Sequence, residues 1–167
     1  MRGPAKPSFD VLYETYYDRI YRYAYTILLN RENAEDVVEE TFIAAYTAYY
    51  SYDPARSSPA TWITRIAHNK TVDFVRSAAY RKETGFPEEF DAPDPGQDFT
   101  DRVEKGQAVL WLYARLTQSE REFLDLRYVM ELTDGEIGAL LGLPVKTVNK
   151  RYQRLLEKCR GLLSEGT

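Results

Sequence analysis

The chain has 167 residues, of which 44% are hydrophobic and 29% charged, and its formal net charge is -4. This composition is typical of a folded, soluble protein rather than a fibrous or disordered one. A single cysteine excludes a disulfide framework, and no apolar run approaches the ~20 residues that span a bilayer. The N-terminal segment also lacks the apolar core of a secretory signal. We therefore expect a cytoplasmic protein without membrane insertion.

Three long helices are predicted in the first half of the chain. Apolar residues at intervals of three and four mark the first helix, and they are Phe9, Leu12, Tyr16, Ile20, Ala24 and Ile27. Asn33 is predicted to cap the second helix, which runs to about Tyr50. The sequence SYDPARSSP has the residues of a loop, and its Ser58 and Pro59 suit the start of a third helix.

An acidic segment rich in proline and glycine separates these helices from the rest of the chain. Residues 80–104 hold 8 acids and 3 bases, whereas residues 105–167 hold 10 bases and 8 acids. Such a segment cannot bury enough apolar surface to fold alone, so a flexible acidic linker is predicted over residues 83–104. The flanking domains are then residues 1–82 and 105–167.

Four helices are predicted in the second domain, and the last two form a helix-turn-helix. Thr117 with Glu120, and Thr133 with Glu136, have the spacing of capping boxes. The short turn GLP at residues 142–144 precedes the last helix. Because no segment shows the alternation of a strand, the sequence predicts an all-α protein of two small helical domains.

The last helix carries an apolar face and a basic face. The apolar residues are Val148, Tyr152, Leu155, Cys159 and Leu162. The polar and basic residues near its start are Lys146, Thr147, Asn149, Lys150, Arg151 and Arg154. Asparagine and arginine read base edges in the major groove, and the other bases neutralise phosphates. The alternative is an ordinary solvated basic face, but the turn, the cap and the polar start together favour DNA binding.

Three segments of the sequence resemble a known family. LTDGEIGALLGLPVKTVNKRYQRL resembles the promoter-reading C-terminal domain of bacterial sigma factors, and NAEDVVEETFIAAY and TWITRIAHNKTVDFVR resemble the matching N-terminal domain. Their order, without an intervening domain, is similar to the extracytoplasmic-function (ECF) group. The resemblance implies sigma region 2, a bundle of three or four helices, in residues 1–82 and sigma region 4 in residues 105–167. It implies a subunit that directs RNA polymerase to promoters by reading their −10 and −35 elements and assisting strand opening.

The resemblance also implies roles for particular residues. Docking on polymerase is implied for Glu35, Asp36, Val38, Glu39, Glu40 and Phe42. Reading and opening of the −10 element is implied for Tyr49, Tyr52, Arg56, Trp62, Arg65, His68, Asn69, Lys70 and Arg76. Reading of the −35 element is implied for Lys146, Thr147, Asn149, Lys150, Arg151 and Arg154. Tyr46 and Tyr50 are further aromatic candidates near the loop, and Tyr52 is predicted to be the best placed of its tyrosines.

The implied partners are core RNA polymerase, promoter DNA and an anti-sigma factor. The contacts with polymerase would be with the β′ clamp helices and the β flap. By the same resemblance, the acidic linker lies near the path of the new RNA, whereas the alternative is a plain tether. Gly138 stands where the family often has alanine, which predicts a helix weaker by up to ~1 kcal/mol.

Two other classes of protein compete with this interpretation. A helix-turn-helix regulator could act without core polymerase, but the first-domain motifs argue against it. A di-metal enzyme would need Glu-x-x-His on two helices, and the chain has one histidine. Cys159 has no histidine nearby in sequence, and no Gly-rich phosphate loop is present. We therefore predict no catalytic residue, no metal and no cofactor.

Overall fold

Residues 3–83 and 108–165 are described by the computed structural model, and they form helices joined by short turns. The first unit contains α1 (Phe9–Leu28), α2 (Arg31–Ala48), a 3-10 turn (Tyr49–Ser51) and α3 (Pro59–Glu83). The second unit contains α4 (Ala108–Tyr113), α5 (Gln118–Tyr128), α6 (Asp134–Leu141) and α7 (Val145–Glu165). The described residues include no strand, which confirms the predicted all-α fold. The predicted linker lies outside them apart from its first residue.

The junction between α1 and α2 corrects one predicted helix start. Leu29 ends α1 in the left-handed conformation, with φ of 52°, and its N–H bonds to the Tyr25 carbonyl. Asn30 follows in an extended conformation, and its side-chain oxygen accepts a hydrogen bond from the Asn33 N–H at 2.9 Å. The prediction that Asn33 is the cap is therefore wrong, because Asn30 has the cap geometry and α2 begins at Arg31.

Capping chemistry fixes the helix starts of the second unit as the sequence predicts. Thr117 and Glu120 form a complete capping box, in which each side chain accepts a hydrogen bond from the other residue's backbone N–H. Thr133 accepts a hydrogen bond from the Glu136 N–H at 3.2 Å. The Glu136 carboxylate accepts a hydrogen bond from Thr61 of the first unit at 2.8 Å. At α6, therefore, Thr133 caps the helix as predicted, but the reciprocal half of the predicted box is not formed, and Glu136 provides a contact between the units instead.

One hydrophobic cluster extends through both units. In the first unit, α1 packs against α2 and α3, and the buried residues are Ile20, Tyr23, Ile27, Val38, Phe42, Ala45, Ile63 and Ala67. In the second, the cluster continues through Tyr113, Phe123, Leu124, Leu126, Met130, Ile137, Val148, Tyr152 and Leu155. Helix α5 contacts α1 more extensively than it contacts α6 or α7. None of the described helices is both long and apolar enough to cross a membrane.

Polar side chains join α5 to the first unit at the C-terminal end of α1. Arg121 Nη2 donates a hydrogen bond to the Ile27 carbonyl oxygen at 2.8 Å, so a cation satisfies a carbonyl in the last turn of α1. Tyr23 donates its hydroxyl hydrogen to Glu122 at 2.5 Å, and Thr26 is hydrogen-bonded to Asp125. These contacts lie among buried residues, so the register of α5 on α1 is specific.

The Asp125 carboxyl group is fully buried at this contact. Burial raises the pKa of Asp125 well above its usual range, and the negative charge of Glu122 raises it further. The hydrogen bond from the Tyr113 hydroxyl and the positive charge of Arg121 lower this pKa, but burial outweighs them. A protonated carboxyl group fits the site, because the Thr26 hydroxyl lies 2.9 Å from the Arg22 carbonyl oxygen and can donate there. Thr26 Oγ1, which is hydrogen-bonded to Asp125, can then accept a hydrogen bond from the protonated carboxyl group.

The substitution Asp125→Asn is therefore expected to stabilise the protein at alkaline pH by about 1 kcal/mol, or roughly 2–4 °C in Tm. The raised pKa means that folding favours the protonated acid. The stabilisation that the protonated Asp125 contributes is complete below the usual aspartate pKa, and it is lost as the pH rises through the raised pKa of the folded protein. Asparagine is neutral throughout and has a similar shape. Thermal melts from pH 5 to pH 9 should show the gap between variant and parent widening with pH, and a constant gap would contradict this account.

Candidate nucleic-acid interface

The first turns of α7 present polar and basic side chains to solvent. Lys146, Asn149, Lys150, Arg151 and Arg154 are exposed, and Thr147 is half-buried. The opposite face is buried through Val148, Tyr152, Leu155 and Cys159. Burial also raises the pKa of the Cys159 thiol. The predicted division of the last helix into a packed face and a basic face is therefore present in the structure.

A tight turn fixes how α7 approaches α6. Gly142 ends α6 in the left-handed conformation, with φ of 70°, and its N–H bonds to the Gly138 carbonyl oxygen. The Leu143 N–H bonds to the same oxygen at 2.8 Å. A Cβ on Gly138 would lie 2.6 Å from the Leu143 carbonyl oxygen and 3.6 Å from Val148 Cγ2. The glycine that the sequence marks only as a slightly weak helix residue thus permits the close approach of the turn.

A basic groove runs between α7 and the start of α5. It has a volume of about 360 Å³ and is lined by Ser119, Glu120, Phe123, Arg151, Arg154, Leu155 and Lys158. Lys158 Nζ contacts both Glu120 carboxylate oxygens, at 3.0 and 2.8 Å. Although burial raises the pKa of Glu120, hydrogen bonds from Lys158 and from Thr117 bring it below its usual value. Lys158 is therefore tied to α5, whereas Arg151 and Arg154 border the groove from the exposed side of α7.

The acidic residues of α2 form an exposed face, as their spacing predicts. Glu35, Asp36, Glu39 and Glu40 are all exposed, and Glu35 lies 3.4 Å from Arg31. Val38 and Phe42 are buried, at 2% and 6% exposure. They contribute the floor of a groove of about 530 Å³ that also includes Phe9, Tyr13, Tyr17, Ile43 and Tyr46. Val38 and Phe42 thus support the exposed acidic face of α2 from beneath, and they add no charge to it.

The predicted −10-reading side chains of α3 divide into two groups. Arg65, Asn69 and Arg76 are exposed and Lys70 is half-buried, so the structure leaves them accessible. His68 instead forms a hydrogen bond through Nδ1 with Glu122 of α5, and its side chain is 17% exposed. In this arrangement His68 is covered by the second unit, which the sequence could not indicate.

The loop before α3 corrects the predicted choice of its best-placed tyrosine. Tyr52 is 5% exposed, stacks on Trp62 with ring centroids 4.4 Å apart, and donates its hydroxyl hydrogen to the Ser57 carbonyl oxygen. This buried ring supports the loop and is not presented for stacking with a base. Tyr50 is 89% exposed. Arg56 is also exposed, with Nε 4.0 Å from Asp53.

Sequence comparisons match both units to one family. The profile of Sigma-70 region 2 matches residues 12–81, and that of Sigma-70, region 4 matches residues 113–161. The ECF RNA polymerase sigma factor SigW of Bacillus subtilis is 30% identical over 172 residues, which cover 95% of this chain and 90% of SigW. The chain belongs to the ECF sigma factors. Its function is promoter-specific transcription initiation with RNA polymerase, and a regulator acting without core polymerase is not favoured.

Other relatives of this sigma factor agree with the assignment. The ECF sigma factor SigE of Mycolicibacterium smegmatis is 31% identical over 166 residues, which cover 96% of this chain and 63% of SigE. Among solved structures, CnrH in complex with the cytosolic domain of CnrY has a TM-score of 0.68 at 27% identity, covering 95% of this chain and 89% of that chain. RpoE in complex with the anti-sigma factor NepR from Bartonella quintana shares the fold, with a TM-score of 0.70 at 18% identity over 93% of this chain and 96% of that chain.

Lys6, which the sequence analysis did not single out, contacts the 3-10 turn after α2. Lys6 Nζ donates a hydrogen bond to the Tyr49 carbonyl oxygen at 2.6 Å and lies 4.2 Å from the centre of the Tyr49 ring. Tyr49 in turn donates its hydroxyl hydrogen to the Pro7 carbonyl oxygen at 2.6 Å. The segment before α1 is therefore attached to the 3-10 turn through Tyr49. Among the described residues, no three histidine, cysteine, aspartate or glutamate side chains form a group suited to a metal ion.

Proposed function

We propose that region 4 of this sigma factor reads the −35 element with the first turns of α7. The observation that carries this proposal is the two-faced structure of α7, in which a buried apolar face fixes the helix and polar and basic side chains project from the other. Asn149 and Arg151 have the side chains for base edges, and Lys146, Lys150 and Arg154 have those for phosphates. Thr147 lies at the start of the same surface.

Region 2 is assigned two tasks in the proposal. The acidic face of α2 docks on the β′ clamp helices, with its charges attracting basic residues of the polymerase. Arg65, Asn69, Lys70 and Arg76 of α3 contact the −10 element. Tyr50 offers the exposed ring for an unstacked base, at about 1–3 kcal/mol per stacked base, and Arg56 offers a charge for the backbone.

The proposal describes a non-catalytic subunit that works in the cytoplasm under the control of an anti-sigma factor. Support for such a partner comes from RpoE of Bartonella quintana, which was solved with the anti-sigma factor NepR. The exposed aromatic groove between α1 and α2 supplies apolar surface for a protein partner. In this proposal, region 2 comprises residues 1–82 and region 4 comprises residues 105–167, and the acidic segment between them is a tether.

Reconstituted transcription tests this function directly. The purified chain is mixed with bacterial core polymerase and fragmented genomic DNA, and the 5′ ends of the transcripts are sequenced. We expect initiation at a small set of sites that share −10 and −35 elements. Core polymerase alone is the control reaction. Initiation at the same sites in this control, or initiation at sites without shared elements, would contradict the proposal. The same experiment supplies a promoter for the measurements below.

The substitution Arg151→Ala is expected to weaken −35 recognition by about 1–3 kcal/mol and leave core binding unchanged. The matched control is Arg160→Ala, since Arg160 is an exposed arginine of the same helix but lies near its C-terminal end. The affinity of the holoenzyme is measured for promoters with an intact and with a scrambled −35 element. This comparison distinguishes the loss of a base contact from the loss of nonspecific attraction between a positive charge and DNA. Equal losses for both variants, or equal losses on both promoters, would contradict base reading by Arg151.

A further inference from the structure

The segment before α1 lies along the loop that precedes α3, residues 49–58. Gly3 is so near this loop that a Cβ built on it would lie 4.0 Å from Ala55 Cβ. Lys6 donates a hydrogen bond to the Tyr49 carbonyl oxygen, which is 43 positions further along the chain and at the start of the loop. Two distant parts of region 2 therefore meet at the start and in the middle of the loop.

Lys6 supplies a positive charge that the C-terminal end of α2 lacks. Neither α2 nor the 3-10 turn that continues it has a basic residue in its last turn. The last carbonyl groups of a helix have no donors within the helix, and they form the negative end of its dipole. The Tyr49 carbonyl oxygen accepts the Tyr52 N–H at 3.1 Å, which closes the turn, and it also accepts the hydrogen bond from Lys6. The backbone bond of the turn and the Lys6 ammonium group therefore meet at one oxygen.

The same ammonium group lies near two aromatic rings that are packed on different helices. Lys6 Nζ is 4.2 Å from the centre of the Tyr49 ring and 5.8 Å from that of Tyr52. The Tyr49 ring contacts Phe9 of α1 edge-on, with ring centroids 6.0 Å apart, and Tyr52 stacks on Trp62 of α3. Lys6 is half-buried, and partial removal from water strengthens the attraction between a cation and a ring. The start of the loop is thus held between α1 and α3.

The exposed ring of Tyr50 depends on this turn for its position. Tyr50 directly follows Tyr49 in the 3-10 turn, and its ring contacts the Tyr49 ring edge-on with centroids 6.0 Å apart. Because the rest of the ring is open to solvent, the backbone of the turn decides where it points. A side chain that is oriented before its ligand arrives loses less conformational freedom on binding. Groups that hold the turn therefore affect how tightly the Tyr50 ring can bind.

We propose that Lys6 is a positioning residue for strand opening, because it fixes the 3-10 turn after α2 in the conformation that presents the Tyr50 ring to an unstacked base of the −10 element. This inference rests on the proposed role of Tyr50, and it adds the segment before α1 to the parts of region 2 that act in opening. The ammonium group is bound to the Tyr49 carbonyl oxygen, so Lys6 acts on DNA through the turn. Removing Lys6 must then weaken DNA binding only where the Tyr50 ring contributes to it.

A double-mutant cycle on the holoenzyme tests this dependence. The full chain is prepared as the parent, Lys6→Met, Tyr50→Ala and the double variant, each with core polymerase in excess, since methionine keeps an unbranched apolar side chain and removes the ammonium group. The probe is a fluorescent single strand carrying the −10 element of a promoter found by reconstituted transcription. We expect Lys6→Met to bind it about fivefold more weakly than the parent, and Tyr50→Ala at least about fivefold more weakly. The double variant should bind within about twofold of Tyr50→Ala, because both substitutions remove the same contact.

Two further variants serve as controls in the same assay. Arg22→Met removes a positive charge from an exposed position of α1, about three and a half turns beyond Phe9, and it should bind the probe as the parent does. Lys6→Arg keeps a cation that can donate to the Tyr49 carbonyl oxygen and stack on the ring, so it should bind within about twofold of the parent.

Each outcome of the cycle supports or overturns the inference. Equal affinities of Lys6→Met and Arg22→Met overturn it, because the ammonium group would then have no specific effect. A double variant weaker than Tyr50→Ala by the full Lys6 factor also overturns it, since Lys6 would then act independently of the ring. If Tyr50→Ala binds as tightly as the parent, the proposed role of Tyr50 fails and the inference fails with it. A deficit for Tyr50→Ala without one for Lys6→Met refutes the positioning role alone.

Discussion

Replacing Asp36 and Glu40 together with alanine is expected to weaken binding to core polymerase at least about tenfold, or ~1.4 kcal/mol. Both side chains are exposed one helical turn apart on α2. The helix is held by its other face, where Ala34, Val37 and Ala45 are buried. The substitutions therefore remove two charges from the proposed docking face without removing packing, and the fold should be unchanged.

Glu14→Ala combined with Asp18→Ala provides a matched control. These acids are also exposed one turn apart, but on α1, and their loss changes the net charge by the same amount. Affinity for core polymerase can be measured by fluorescence anisotropy of labelled sigma factor at two salt concentrations. The deficit of the α2 variant should shrink at high salt, because screening weakens charge pairs. Equal deficits for the two double variants would place the docking face elsewhere.

The substitution Gly138→Val is expected to destabilise the protein by about 3 kcal/mol, or roughly 6–12 °C in Tm, and to abolish −35 recognition. A Cβ at this position lies 2.6 Å from the Leu143 carbonyl oxygen, which is backbone and cannot rotate away. The turn must then shift away from α6 to admit a Cβ, and the two methyl groups of valine enlarge this shift, and that of α7, beyond what the alanine often found here in the family requires. The cost exceeds the gain in helix propensity that replacing a glycine would otherwise give.

Gly161→Val separates this clash from any general effect of valine. Gly161 lies within α7, and no atom of the neighbouring structure lies within 4 Å of a Cβ built on it. Its replacement should change stability by less than about 0.5 kcal/mol. Thermal denaturation of both variants measures the difference. A Gly138→Val protein as stable as Gly161→Val would show that the turn yields easily, and that the close approach does not fix α7.

Helix positions in the second unit could be predicted because their determinants are local. The Thr117–Glu120 box and Gly142 act on backbone groups only a few residues away, so the sequence contains the whole signal. The start of α2 was missed because Asn30 and Asn33 have the same chemistry. Only the extended backbone of Asn30 and the left-handed Leu29 before it decide between them.

The proposed site was predictable where exposure follows helical periodicity, as on α7. It was not predictable where contacts join distant parts of the chain. Tyr52 was expected to offer its ring to DNA, but Trp62 covers that ring. His68 was expected to face DNA, but an acid 54 positions away accepts its hydrogen bond. Neither contact leaves a periodic signal, because both depend on how the helices pack rather than on local spacing.

The burial of Cys159 has a practical consequence for spectroscopy on this molecule. It is the sole thiol of the chain, and it lies on the packed side of α7 at 7% exposure with a raised pKa. Maleimide dyes react with thiolates, so this sulfur should label slowly at neutral pH. Cysteines introduced at exposed positions should accept dyes first, and distances between the two halves could then be followed by energy transfer without removing the native sulfur.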